Sequence, residues 1–188
     1  MAMAQLVERY WTAEDVRALP EDGKRYECID GVLLVTPSPA WTHAHAVRVL
    51  MRLLDGYVRQ HGLGALATAP RDVELTTGDV VQPDILVARS TRGQVIREEE
   101  DVAGLVLVIE ILSPSSASRD RGVKRKYYQR AGVEAYWVVH LDARVIERWT
   151  PTAENADVCS EKLVWIPRGA SEALRVELPE LFAEVLDD

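Results

Sequence analysis

Hydrophobic positions recur along this chain at two spacings, and the switch between them marks out its elements. From Trp41 to about His61 the apolar residues fall at helical intervals (Ala46, Val49, Leu50, Leu53, Leu54, Tyr57, Val58), with Gly62 as a stop. Leu105 to Leu112, "LVLVIEIL", is continuous rather than alternating, the pattern of a strand buried on both faces. Val80 to Ala88, "VVQPDILVA", predicts a second such strand, and "ATAPRDVEL" predicts one before it. "KRYECI", Asp30-Gly31 and "VLLVT" spell a hairpin, since Asp-Gly suits the positive φ values of a tight turn. "TPSPA" ends it. "AYWVVH" and "RVIERW" form another hairpin around Asp142. Thr12 caps a short first helix, "TAEDVRAL", and a basic helix runs from about Ser118 to Ala131, with Gly132 at its end. "REEED" reads as a solvated loop. The tail holds one or two further strands and a short amphipathic turn, "LPELFAEVL". Strands on both sides of helices, with no repeats or long linkers, predict one α/β (α+β) domain over residues 1–188.

At 188 residues the chain can bury a sizeable core. No stretch approaches the roughly 20 apolar residues of a membrane span, and "MAMAQLVERYW" lacks the layout of a secretory signal. Cys28 and Cys159 are too few for a disulfide framework and lack zinc-site spacing, so two reduced thiols in a cytoplasmic protein are expected. A net charge of −8 argues against a general nucleic-acid coat protein but leaves room for a local basic groove.

Two residues break the apolar pattern in the same way. Glu110 is the lone carboxylate of "LVLVIEIL", and Asp84 stands alone in "VVQPDILVA". Burying an ionised carboxylate costs several kcal/mol or more unless a cation, metal or donor meets it. Two such acids on two buried strands predict one shared charged site. The basic segment "RDRGVKRKYYQR" carries six Arg or Lys against one Asp. Such clusters contact phosphates, although an arbitrary charge run is more often a solvated helix face. Arg121, Lys124 and Tyr128 share a face at i, i+3 and i+7, and two of the chain's four Lys, against 18 Arg, stand here.

A Pro-Asp on one strand, a Glu on the next and a Lys within reach resemble the PD-(D/E)XK phosphodiesterases. Magnesium is typically held by one or two carboxylates, leaving room for water and a substrate phosphate. It activates the attacking water, and a nearby ammonium orients that water or stabilises the transition state. The usual pattern sets Lys two residues after Glu, a place taken here by Leu112, so the lysine must come from elsewhere. The strings "YECIDG", "TPSPAWTH", "VVQPDILV", "VIEILSPSS", "RDRGVKRKYY" and "AGVEAYWVV", in order over roughly residues 25–150, resemble the Uma-two family of restriction-endonuclease-like proteins. The resemblance implies a central mixed β-sheet flanked by helices and a Mg²⁺- or Mn²⁺-dependent nuclease site. It implies Asp84 and Glu110 as metal ligands, Lys124 as the displaced lysine and Glu27 as an additional acid.

Each residue has a structural alternative. Asp84 and Glu110 could form ion pairs with Arg or Lys, and Glu27, on one strand face with Arg25 and Ile29, could sit in an exposed cross-strand pair. Gln82 lies on the Asp84 face by alternation and could hold water or phosphate. His43 matches the family string and could touch phosphate or help activate water, whereas His45 diverges from it by about 200° and suits a capping or solvent role. Ser113 closes the strand or donates to phosphate; "SPSS" has no "GxSxG" elbow. Arg119, Arg121, Arg125 and Lys126 would grip the nucleic-acid backbone. Tyr128 suits core packing, and Trp137 a core or dimer contact. No glycine-rich phosphate loop occurs.

The resulting expectation is a metal-dependent DNA endonuclease, a homodimer where both strands are cut. The alternatives are a catalytically silent nucleic-acid-binding module and a phosphodiesterase acting on RNA or a small nucleotide.

Overall fold

The computed structural model describes residues 9–90, 96, 102–113 and 120–187. Thr12 caps α1 (Ala13–Arg17) in a capping box with Asp15. Strands β1 (Arg25–Ile29) and β2 (Val32–Thr36) pair antiparallel across Asp30 and Gly31, whose φ angles are 51° and 77°. The expected hairpin thus forms on the turn its Asp-Gly dictates. Helix α2 (Trp41–Gln60) follows, and Gly62, at φ 59°, turns the chain out of it.

The central sheet has six strands in the order β3 (Ala65–Thr68), β4 (Ile85–Ser90), β5 (Val102–Ile111), β6 (Tyr136–His140), β7 (Val145–Trp149) and β8 (Asp157–Cys159). Only the β5–β6 pairing is parallel. The crossover between them carries a π-helical turn (Asp120–Lys124) running into α3 (Arg125–Arg130), and Gly132 follows at φ 73°. Strands β9 (Lys162–Trp165) and β10 (Leu174–Glu177) form a separate hairpin before α4 (Leu178–Leu186). The tail therefore holds three strands and a true helix where fewer strands and a turn were expected. The expected "REEED" loop and Arg119 lie outside the described residues.

Two strand expectations need correction. The "ATAPRDVEL" strand stops at Thr68, and beyond Pro70 only Val73 pairs, as a bridge to Val81. The Asp84 segment is regular only from Ile85. Pro83 has no N–H to give a ladder. The backbone of Gln82 is used by side chains instead: its N–H donates to Glu27 (2.8 Å) and its carbonyl accepts from Arg25 (2.9 Å).

Alternation along the strands divides the core in two. One face packs against α2 and α4 through Val49, Leu54, Leu107, Ile109, Trp137 and Phe182. The other packs under α3 and the β1–β2 hairpin through Ile29, Leu86, Val108, Tyr127, Tyr136 and Val138. Trp137 is core. Because β4 and β5 pair Ile85 with Ile109, one further step sets Asp84 opposite Glu110, on the α3 side of the sheet. No helix among the described residues is long and apolar enough to cross a membrane.

Candidate active site

The two isolated acids do meet. Asp84 and Glu110 line one cavity of about 750 Å³, together with Arg25, His43, Asp120 and Lys124. Both acids are buried, at 3 % and 2 % exposure, as is Lys124 at 4 %.

Asp84 is held from three sides. Its Oδ1 accepts from Arg25 (2.8 Å), and its Oδ2 meets His43 Nε2 (3.0 Å) and accepts from the Ile111 backbone N–H (2.8 Å). Burial works to raise its pKa, but the His43 hydrogen bond, the charge of Arg25 and the Ile111 N–H outweigh it, and the carboxyl sits at about 2. Asp84 is therefore a carboxylate at neutral pH.

Glu110 lives differently. Its Oε1 accepts from Lys124 Nζ (2.9 Å) and from the Tyr128 hydroxyl (3.1 Å). Burial pushes Glu110 well above the usual carboxylate range; Lys124 opposes this, and Asp84, Asp120 and Glu27 reinforce it. Two facing carboxyls thus occupy environments that drive their pKa values apart.

Lys124 lies between acids. Besides Glu110, its ammonium stands 2.8 Å from Glu27 Oε2, as an ion pair off the hydrogen-bond direction, and 3.9 Å from Asp120. Burial would lower its pKa, yet the charges of Glu110, Glu27 and Asp120 prevail and raise it, so Lys124 stays protonated. Glu27 is fully buried behind Lys124, with Oε1 taking the Gln82 N–H, rather than lying in an exposed cross-strand pair. It does not line the cavity.

The remaining candidates separate. His43 lines the cavity, and its buried Nδ1 has no partner among the described residues. Ser113 also lines the cavity. Arg121 reaches the far wall, where it contacts the His140 ring (2.9 Å to Nδ1) and pairs with Glu147 (2.9 Å). Burial and the charge of Arg121 lower the His140 pKa against the pull of Glu147. The side chain of Gln82 turns away, donating to Asp72 (2.7 Å), because its backbone is pinned by Glu27 and Arg25. Arg125 stacks 4.6 Å over the Trp149 ring, and Lys126 is exposed; neither lines the cavity. Tyr128 is both core and site, its ring buried and its hydroxyl on Glu110. His45 is half-buried and bonded to Arg48.

Sequence reasoning missed Arg25, Asp120 and His140. Arg25 had a signal: it stands two residues before Glu27 on the same strand, so both side chains leave one face. Asp120 stands one turn before Lys124. Nothing in the sequence distinguishes His140 from a residue ending a buried strand.

The donor set suits a small, hard cation. Three carboxyls, Glu27, Asp84 and Glu110, face two fixed cations, Arg25 and Lys124, with Asp120 as a further acid. Excess negative charge in a buried site is relieved by a bound cation. Among the described residues no three His, Cys, Asp or Glu side chains are arranged as a cage, which magnesium, needing only one or two carboxylates, does not require.

A comparison with curated proteins finds no match. Among solved structures the chain is similar to a "putative nuclease" from Anabaena variabilis, at 24 % identity and a TM-score of 0.74, over 93 % of this chain and 99 % of that one. The likeness establishes a shared fold, a central mixed sheet flanked by helices. Residues 13–186 match the model of Uma2, described as "Putative restriction endonuclease". With nearly the whole chain inside that match, the protein belongs to the Uma2 family of restriction-endonuclease-like proteins.

Proposed function

We propose that this protein is a metal-dependent endonuclease that hydrolyses phosphodiester bonds of DNA at the Asp84–Glu110 cavity. One observation carries the reading. A protonated lysine, buried between acids, projects into the cavity that both isolated carboxyls line. The family description supports the same class of reaction.

Mg²⁺ or Mn²⁺, held by Asp84 and Glu110, would supply Lewis acidity and an activated water. The protein's own groups have separable tasks. Arg25 and His43 orient Asp84 and keep it ionised. Tyr128 and Lys124 hold one oxygen of Glu110, fixing the carboxyl where it lines the cavity. Lys124, kept charged by its neighbours, cannot take a proton from water. It offers N–H donors to the attacking water or to phosphate oxygens as charge grows there. Glu27 works through Lys124 by holding its ammonium in place. His43 Nδ1 can accept a hydrogen bond from a water, and Ser113 and Arg121 stand where they can donate to phosphate. Cutting both strands would need two copies; the exposed Val158, Val164 and Ile166 offer apolar surface for that contact. The chemistry and the thiols fit a cytoplasmic protein.

The test is nicking of supercoiled plasmid with Mg²⁺ or Mn²⁺ by wild type, Glu110→Gln and Lys124→Ala. Metal-dependent cutting that disappears in both variants, with their folds intact by circular dichroism, is the expected result. Cutting that survives Glu110→Gln removes this site from the reaction.

A further inference from the structure

The helix expected to grip nucleic acid does not face the site with most of its cations. Arg125 is committed to Trp149, and Arg130 pairs with Asp30. The cavity mouth instead adjoins the start of α2. Ala40, Thr42 and His43 line the cavity, and Trp41, between them, points outward with 93 % of its surface exposed. An indole so exposed forgoes one of the largest burial gains available to a side chain. The hairpin and the central core leave it uncovered.

Trp41 does not stand alone. At 100° per residue, Trp41, His45, Arg48 and Arg52 fall within an arc of about 60° on α2, a stripe about 16 Å long. Trp41, Thr42, Ala44, His45, Arg48 and Val185 line a shallow depression that meets the main cavity at Thr42. His45 Nε2 takes a hydrogen bond from Arg48, and both arginines reach toward one acid, Glu184 (4.0 Å and 2.5 Å). Their side chains remain 62 % and 57 % exposed, and among the described residues the two share that single carboxylate. In a chain of net charge −8, an aromatic ring followed by cations and leading into an acidic, lysine-bearing cavity is not a generic surface.

We infer that the α2 stripe is a docking surface for single-stranded nucleic acid, with Trp41 stacking a base beside the cavity mouth and Arg48 and Arg52 meeting successive backbone phosphates. The inference deepens the phosphodiesterase reading and rests on it for the destination of the strand. Base–aromatic stacking needs an unstacked base, which a single strand or a locally opened duplex presents and a closed duplex does not. A second copy of this chain or another protein would also cover an exposed indole, but neither needs guanidinium groups aligned with it.

The experiment is fluorescence anisotropy of labelled oligo(dT) and of a blunt duplex of equal length, in EDTA so that no cleavage intervenes. Wild type should bind the single strand more tightly than the duplex. Trp41→Ala should weaken the single strand roughly tenfold or more, and Trp41→Phe should retain most of the affinity. Arg48→Gln and Arg52→Gln should each reduce the slope of log affinity against log salt by about 0.7. Because all three side chains are largely exposed, unchanged thermal transitions will show that the variants fold. Single-strand affinity indifferent to Trp41→Ala overturns the inference, and so does absence of binding. A change of oligomeric state in Trp41→Ala by sedimentation, with strand affinity unchanged, also overturns it and makes the surface a contact between copies. The two readings fail separately. Trp41-dependent binding without plasmid nicking keeps the stripe and removes the nuclease. Nicking lost in Glu110→Gln but indifferent to Trp41→Ala does the reverse.

Discussion

The two faces of the central sheet are built from the same strands and solve opposite problems. Toward α2 and α4, Leu107, Ile109, Trp137 and Phe182 pack without a charge among them. Toward α3, the same strand β5 sends out Val108 and then Glu110, into a neighbourhood holding a buried ammonium and several acids. The first face gains from every apolar atom it removes from water. The second gives up part of that gain, since desolvating ions costs several kcal/mol each and is recovered only where partners are well placed. The difference locates the buried charge: it lies on one face, at the end of the strand where the cavity opens.

Substitutions on the two faces should therefore separate stability from activity. Lys124→Ala should have the largest effect, because it leaves Glu27 and Glu110 buried without their cation. A loss of about 3–5 kcal/mol in urea unfolding is expected together with loss of cutting. Phe182→Ala on the dry face should cost a similar 3–5 kcal/mol through a cavity, while activity per folded molecule stays near wild type. If that variant loses activity at temperatures where it remains folded, the faces are coupled and the comparison breaks. Glu110→Gln should invert the pattern. It removes one of the excess acids while Lys124 keeps Glu27, so stability should shift by no more than about 1 kcal/mol. Plasmid cutting should nevertheless fall by about a hundredfold or more. The smallest effect belongs to Arg125→Ala, which loses a half-buried stack on Trp149 worth about 0.5–1 kcal/mol and should leave single-strand affinity nearly unchanged. A large loss of affinity there would return the strand-binding role to α3.

Much of this molecule could be read from residue order, and the residues show why. The β1–β2 hairpin, α2 with its stop at Gly62, and the buried run of β5 follow from near-neighbour periodicity and turn chemistry. The isolation of Asp84 and Glu110 announced a shared charged site because few partners make such burial tolerable. Gln82 failed as a site residue for a local reason that alternation ignores: with Pro83 beside it, the segment is not a regular strand, and its backbone serves Arg25 and Glu27. Glu27 moved the other way. A polar residue on a hairpin strand has the pattern of an exposed position, and burial at zero exposure comes with contacts to distant segments, the Gln82 N–H and the Lys124 ammonium.

Residue order was sufficient for what depends on neighbours a few positions apart: most of the strands and helices, the turn at Asp30-Gly31, and the isolation of Asp84 and Glu110 within apolar runs. Which groups share a cavity depended on packing. The same helix carries Lys124 and Lys126, and only its docking on Tyr127 and Tyr128 aims one ammonium into the acids and leaves the other in water. Arg25, Asp120 and His140 joined the site through contacts between segments far apart in the chain. Periodicity records a segment's own shape, whereas convergence of side chains is set by how several segments exclude water together.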